Sequence, residues 1–236
     1  MREPRRKQGR KREFAQMETF GRLTQYLKDL CTSLIVIDIA ERCIEACKQR
    51  FSSCSHITYH TNDGKSLDMI PDQSVDFVFS FDSLVHAEAD VIEAYLSQVT
   101  RKLKPDGVGF IHHSNSGAFI LPAKKSLPPP LKGLAMILRR HWRAESMTAR
   151  LFEEYCEQAG LQCITQEIIN WIAKYPPLPI DCFSLFTPKD SVWARPNKVY
   201  RNMNFRQEAL YLGKLSRLYP SSSLLNLNEI YEKVKG

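Results

Sequence analysis

From about residue 20 onward, short apolar runs alternate with stretches in which apolar positions recur every three or four residues. The first pattern predicts buried strands and the second amphipathic helices. Leu23 to Leu30 has helical spacing. Leu34-Ile35-Val36-Ile37-Asp38 is short, β-branched and closed by an acid, as expected of a parallel strand buried on both faces. Glu41 to Phe51 reads as an amphipathic helix. Ile57-Thr58-Tyr59-His60 is a strand running into the turn Thr61-Asn62-Asp63-Gly64. A second turn, Pro71-Asp72-Gln73-Ser74, precedes a strand at Val75 to Phe79. Glu88 to Leu103 is helical and is stopped by Pro105 and Gly107, after which Val108 to His112 forms the next strand.

The rhythm breaks at residues 116–146, which hold Pro122, Pro128, Pro129 and Pro130 ahead of the apolar stretch Leu131 to Trp142. An insertion of this length in a compact domain is expected to serve as a lid or a substrate-binding element. Helical spacing returns over Met147 to Ala159. Gln162 to Ile169 and Asp181 to Phe186 are predicted to close the sheet as an antiparallel pair, and a last helix is expected over Asn204 to Tyr219. The implied organisation is a basic, disordered leader at 1–16, one domain at 17–190 and a helical C-terminal extension at 191–236.

Four strand–helix units with right-handed crossovers give a doubly wound, mostly parallel α/β sheet with an antiparallel C-terminal pair. The formal net charge is +7 over 236 residues, but it is concentrated. Residues 1–12 hold Arg2, Arg5, Arg6, Lys7, Arg10, Lys11 and Arg12 against Glu3 alone, so the body is nearly neutral. Nucleic-acid contact is therefore expected only through the leader. No apolar run approaches the roughly 20 residues that span a bilayer, and no secretory signal is present. Seven cysteines without a C-x-x-C pair point to reduced thiols and a cytoplasmic location.

Two acids narrow the function. Asp38 ends the second strand position, where a carboxylate can accept both hydroxyls of a ribose; its alternative is a turn or helix-cap aspartate. Asp63 follows the third strand and can accept from an adenine amino group; its alternative is the turn chemistry of Asn62-Asp63-Gly64. Together, at this spacing, they favour an adenosine site at the carboxyl edge of the sheet.

With these elements in order, the chain resembles the class I S-adenosylmethionine-dependent methyltransferases. The matching segments are Leu34 to Asp38, Asn62-Asp63-Gly64, Asp76 to His86, and Leu103 to His113. The resemblance covers roughly residues 20–190 and implies a Rossmann-like fold with S-adenosylmethionine as cofactor. It implies cofactor contacts at Gly21, Asp38, Ile39, Asp63, Ser80 and Phe81.

One motif departs from the family. Its first strand normally ends in a Gly-rich turn whose backbone lies against the cofactor. Here only Phe20-Gly21-Arg22 corresponds, and the preceding residues are poor strand formers. Residues 9–19 fill the strand position, or the first 16 or so residues are foreign to the fold through a truncated or misassembled reading frame, or the chain is a degenerate relative without cofactor binding. The second is preferred, because charge and motif change at the same place; the first strand is then missing. The third makes the chain a non-catalytic interaction protein.

For an alcohol acceptor the site must align the acceptor and remove a proton. His112, His113 and His86 are the candidate bases, and Asp82, His141 and Arg143 the candidate substrate residues. Alternation along the strand turns His112 and His113 to opposite sides. A divalent metal held by Asp82 with His112 or His113 is conceivable but thinly supported, and no metal site is assigned. After the fourth strand Ser80-Phe81-Asp82-Ser83 stands where amino-methylating nucleic-acid enzymes carry a Pro-Pro-aromatic motif, and no Pro-Cys nucleophile occurs. The expected acceptor is a small hydroxylated molecule, such as a sugar or glycan, methylated on oxygen.

Overall fold

The computed structural model describes residues 12–17, 21–118, 143–171 and 178–216. In chain order the elements are β1 (Glu13–Met17), α1 (Thr24–Leu27), β2 (Ser33–Asp38), α2 (Glu41–Arg50), β3 (Ile57–Thr61) and β4 (Val75–Ser80). A 3-10 turn at Leu84–His86 leads to α3 (Ala89–Lys102) and β5 (Leu103–Ser114). Then come α4 (Ala149–Gln158), β6 (Leu161–Ile169), β7 (Asp181–Pro188), β8 (Lys198–Asn202) and α5 (Phe205–Leu215). The strands form one sheet in the order β3-β2-β1-β4-β5-β7-β6-β8. Strands β1 to β5 run parallel, and β7 is antiparallel to both β5 and β6. The expected doubly wound sheet with an antiparallel closing pair is present.

The first strand is not missing. Glu13–Met17 lies between β2 and β4 and pairs in parallel with both, with Ala15 opposite Ile35 on one side and Val78 on the other. The end of the stretch expected as a leader is thus built into the sheet centre. Its low strand propensity is overridden by context, because β-propensity chiefly reports fit to a half-buried surface. Ala15 and Met17 are buried against the α3 side, Phe14 meets Phe77 edge-on at 5.3 Å on the other, and the buried Gln16 carbonyl oxygen accepts from the Thr24 hydroxyl at 3.2 Å. Asp76 fixes the strand's start: its Oδ2 accepts from the Glu13 N–H at 2.8 Å and meets Lys104 Nζ at 2.8 Å.

Alternation along the strands builds two cores. Ile37, Val75, Val78 and Ile111 pack with Leu96 and Val99 of α3 and Phe152 of α4. Leu34, Val36 and Ile57 pack on the opposite face with Leu27, Ile44 and Phe51. Gly109 on β5 lies under the Phe186 ring, where a Cβ would stand 2.1 Å from the nearest ring atom, so only glycine lets β7 close here.

One expectation changes downstream. Lys198–Asn202 is a strand, added parallel to β6, where only a helical extension was expected, so the sheet continues past residue 190. The helix α5 falls within the expected 204–219. Most of the 116–146 insertion, with His141 and Trp142, lies outside the described residues.

Because Asp76 satisfies the entry of the central strand, Asp76→Ala is expected to lower stability by about 1–3 kcal/mol, the cost of an unpaired part-buried N–H. Urea denaturation measures it; an unchanged midpoint would show that the strand start is held elsewhere.

Candidate active site

The sheet order reverses between β1 and β4, and ligands of open α/β sheets bind at such a switch point, beyond the strands' carboxyl ends. A cavity of about 510 Å³ opens there. Met17 ends β1 at its floor, Ile37 to Ile39 form one wall, Asn62 to Lys65 the second, and Ser83 to Val91 the third. Both acids singled out from sequence border this one cavity. Asp38 stands at the end of β2 and its Oδ1 accepts the Ala40 N–H at 2.7 Å, which fixes the turn into α2. The turn role and the cavity position therefore coexist in one side chain. Asp63 Oδ1 accepts from the N–H groups of Lys65 (2.9 Å) and Ser66 (2.6 Å). Those two donors, Lys65 first, hold its carboxyl below the ordinary carboxylate range. Asn62 anchors this turn to α3 by donating to the Tyr95 hydroxyl at 3.0 Å.

The donor set fits an adenosyl group. Carboxylates suit ribose hydroxyls and an exocyclic amine, while Met17, Ile37, Leu84 and Val91 supply apolar surface for a flat ring. Asp38, Asp63, Glu88 and Asp90 outnumber Lys65, which is paired to Asp90 at 2.7 Å, so the cavity also suits a sulfonium cation. Ile39 and His86 line it, the latter on its exposed rim. Gly21 does not. At φ +68° it sits against α2, where a Cβ would meet Phe51 at 2.7 Å and Cys47 at 3.1 Å, so this glycine serves close packing. Ser80 is wholly buried, and Phe81 joins an aromatic group with His112, Trp171 and Phe183; neither lines the cavity. Among the described residues no group of three His, Cys, Asp or Glu is placed to hold a metal.

Immediately past the cavity, the ends of β4 and β5 and the start of β7 bring charges together. Asp82 adopts φ +57°, a left-handed conformation that costs a non-glycine residue energy and here follows directly on the β4 end. Its N–H donates to His112 Nδ1 at 3.2 Å, and its carboxylate meets Arg22 at 3.2 Å and Arg143 at 3.8 Å. Arg143 Nη2 donates to Asp181 Oδ2 at 2.9 Å. His112 Nε2 lies 3.3 Å from the same oxygen, but out of line for a hydrogen bond. Since Nδ1 accepts a backbone N–H, the neutral ring carries its proton on Nε2. The free lone pair that a general base needs is thus already engaged, and His112 acts here as an acceptor that supports Asp82.

Residues 19–107 match the methyltransferase domain family, so the chain is similar to that family over less than half of its length. No curated protein matched the chain by sequence. Among solved structures, the PH0226 protein of Pyrococcus horikoshii superposes with a TM-score of 0.54 at 18% identity, over 78% of this chain and 85% of that one. A TehB-like SAM-dependent methyltransferase from Corynebacterium glutamicum gives 0.51 at 18% identity, over 75% and 80%. The N-methyltransferase NodS from Bradyrhizobium japonicum gives 0.54 at 16% identity, over 75% and 86%. At these identities the likeness is one of fold.

Within this fold the histidine pair divides as strand alternation requires, but His113 is removed from the site. Its ring stacks on Phe152 at 4.3 Å, Nδ1 donates to the Ser114 carbonyl at 2.9 Å, and Nε2 accepts from Ser184 Oγ at 2.8 Å. It is a satisfied core histidine and not a base. Asp181 was missed from sequence. It opens an antiparallel strand, so its N-terminal end, rather than its C-terminal one, reaches the site edge.

Burial lowers the His113 pKa to about 4. The folded state therefore holds this ring neutral, while the unfolded chain binds its proton below about pH 6.5. Stability is expected to be unaffected by this group above about pH 6.5 and to fall between there and pH 4, by up to roughly 3 kcal/mol. Urea midpoints at pH 7 and pH 5 measure the slope, and His113→Gln should flatten it; an equal slope in the variant would remove His113 as the cause.

Proposed function

We propose that this chain is an S-adenosylmethionine-dependent methyltransferase that methylates an oxygen of a small hydroxylated acceptor, such as a sugar or glycan. The observation that carries the reading is the convergence of Asp38 and Asp63 on one cavity at the switch point of the sheet. Those carboxylates are the groups that would hold the adenosyl part, with Ile39 beside them. The cofactor supplies an electrophilic methyl group; the chain's own tasks are to align the acceptor oxygen and to take its proton. Ser80-Phe81-Asp82-Ser83 at the end of β4 and the near-neutral body favour a small acceptor over a nucleic acid. The seven cysteines are free, in keeping with a cytoplasmic setting. No helix among the described residues is long and apolar enough to cross a membrane.

S-adenosylhomocysteine, at about 100 times its dissociation constant, stabilises a single-site protein by about 2.7 kcal/mol. That corresponds to a rise in melting temperature of roughly 5–10 °C for a domain of this size. Asp38→Ala is expected to abolish most of the rise. An unshifted melting curve at millimolar ligand overturns the cofactor reading.

A further inference from the structure

We propose that Asp181 and Arg143, with His112, form a subsite for one hydroxyl group of the methyl acceptor; the inference rests on the methyltransferase reading above. Asp181 is fully buried and the Arg143 side chain is 7% exposed, yet they meet through a single pair of atoms, Nη2 and Oδ2. The paired, two-bond contact usual for arginine and carboxylate is absent. Among the described residues Asp181 Oδ1 and Arg143 Nε are buried without hydrogen-bond partners, and so is His112 Nε2, which lies 3.3 Å from the same carboxylate. Native proteins seldom leave three such atoms unsatisfied in one place, and a cluster of them calls for an explanation.

The unmet bonds specify a ligand. Asp181 Oδ1 needs one donor. The N–H groups of Arg143 and His112 each need an acceptor lone pair. A hydroxyl offers one donor and two lone pairs. Among the described residues Asp82 and Asp181 stand against Arg22 and Arg143, two charges of each sign, which favours a neutral group over a carboxylate or an ammonium. The surroundings are aromatic. Trp171 lies 5.1 Å and Phe183 4.7 Å from the His112 ring, and Arg143 stands over Trp171 at 5.8 Å, walls suited to a carbon skeleton. Asp82, linked to Arg143, is followed directly by Ser83 on the cofactor cavity wall, so the subsite adjoins the place where a methyl group would be presented. An attacking hydroxyl must lose its proton, and Asp181 Oδ1 is the acceptor it already faces.

Water has the same donor and acceptor set, and the test separates the two. The Arg143 Nε–H resonance is followed in the ¹⁵N-labelled full chain, assigned by its loss in Arg143→Lys, or by its contacts with the Trp171 ring if that variant does not fold. Glycerol is titrated against its trimethyl ether, which keeps the carbon frame and lacks hydroxyl donors. A saturable shift with glycerol, none with the ether, and about tenfold weaker glycerol binding in Asp181→Asn are expected. The same response to both compounds, no response at molar glycerol, or an unchanged affinity in Asp181→Asn overturns the subsite. S-adenosylhomocysteine affinity, measured alongside, should be the same in wild type and Asp181→Asn. Failure of that ligand to bind the wild type would sink the methyltransferase reading, while the glycerol response still reports on the subsite.

Discussion

The structure depends on the two-sided hydrogen-bond ladder of one short strand. Glu13–Met17 pairs with β2 on one edge and β4 on the other. A parallel strand at the centre of a sheet has no solvent to satisfy its backbone, so its neighbours must do so. That pairing sets the register of Met17 against Ile37 and Ser80. The residues just beyond these three positions, Asp38 and Asp82 among them, are thereby delivered to the same edge. The cavity is a consequence of this register rather than of any local motif.

Beyond that edge the two halves of the site are built differently. The cavity side is made from turns whose carboxylates are held by nearby backbone N–H groups, as Asp38 is by Ala40 and Asp63 by Lys65 and Ser66. Such bonds are local and leave each carboxylate's position almost independent of the rest of the fold. The other side is assembled from distant segments. Asp82, His112, Arg143 and Asp181 come from the ends of β4 and β5, from the segment before α4 and from the start of β7. Among the described residues it leaves polar atoms of His112, Arg143 and Asp181 buried without hydrogen-bond partners, a cluster that calls for an explanation. The strap that carries Arg143 is tied down at both ends of the site: Ala144 N–H donates to the Val85 carbonyl at 3.0 Å, and Ser146 N–H donates to Glu88 at 3.0 Å.

Much of this was legible in the sequence. Leu34 to Asp38 and Val75 to Phe79 announced buried parallel strands because their apolar residues are mostly β-branched or aromatic and, before each strand's end, only Asp76 interrupts them. Asp38 and Asp63 were found because each ends a recognisable strand. The first strand was not, because Ala15, Gln16 and Met17 carry little intrinsic preference for extended structure and owe their place to neighbours on both sides. Gly21 was read as a cofactor glycine from its position, whereas its φ and its contact with Phe51 show a packing role. Lys198–Asn202 was missed for a different reason: a five-residue edge strand has too short a pattern to stand out.

By itself the sequence determined the α/β alternation, the antiparallel closing pair and the two acids that border the cavity, since periodicity and turn chemistry act over a few residues. Only the tertiary structure decided which histidine meets the site, because His112 and His113 differ solely in the sheet face each occupies. It also decided that Asp181 belongs there, since an antiparallel strand reaches the working edge at its beginning, and direction in a sheet is settled by pairing, not by composition.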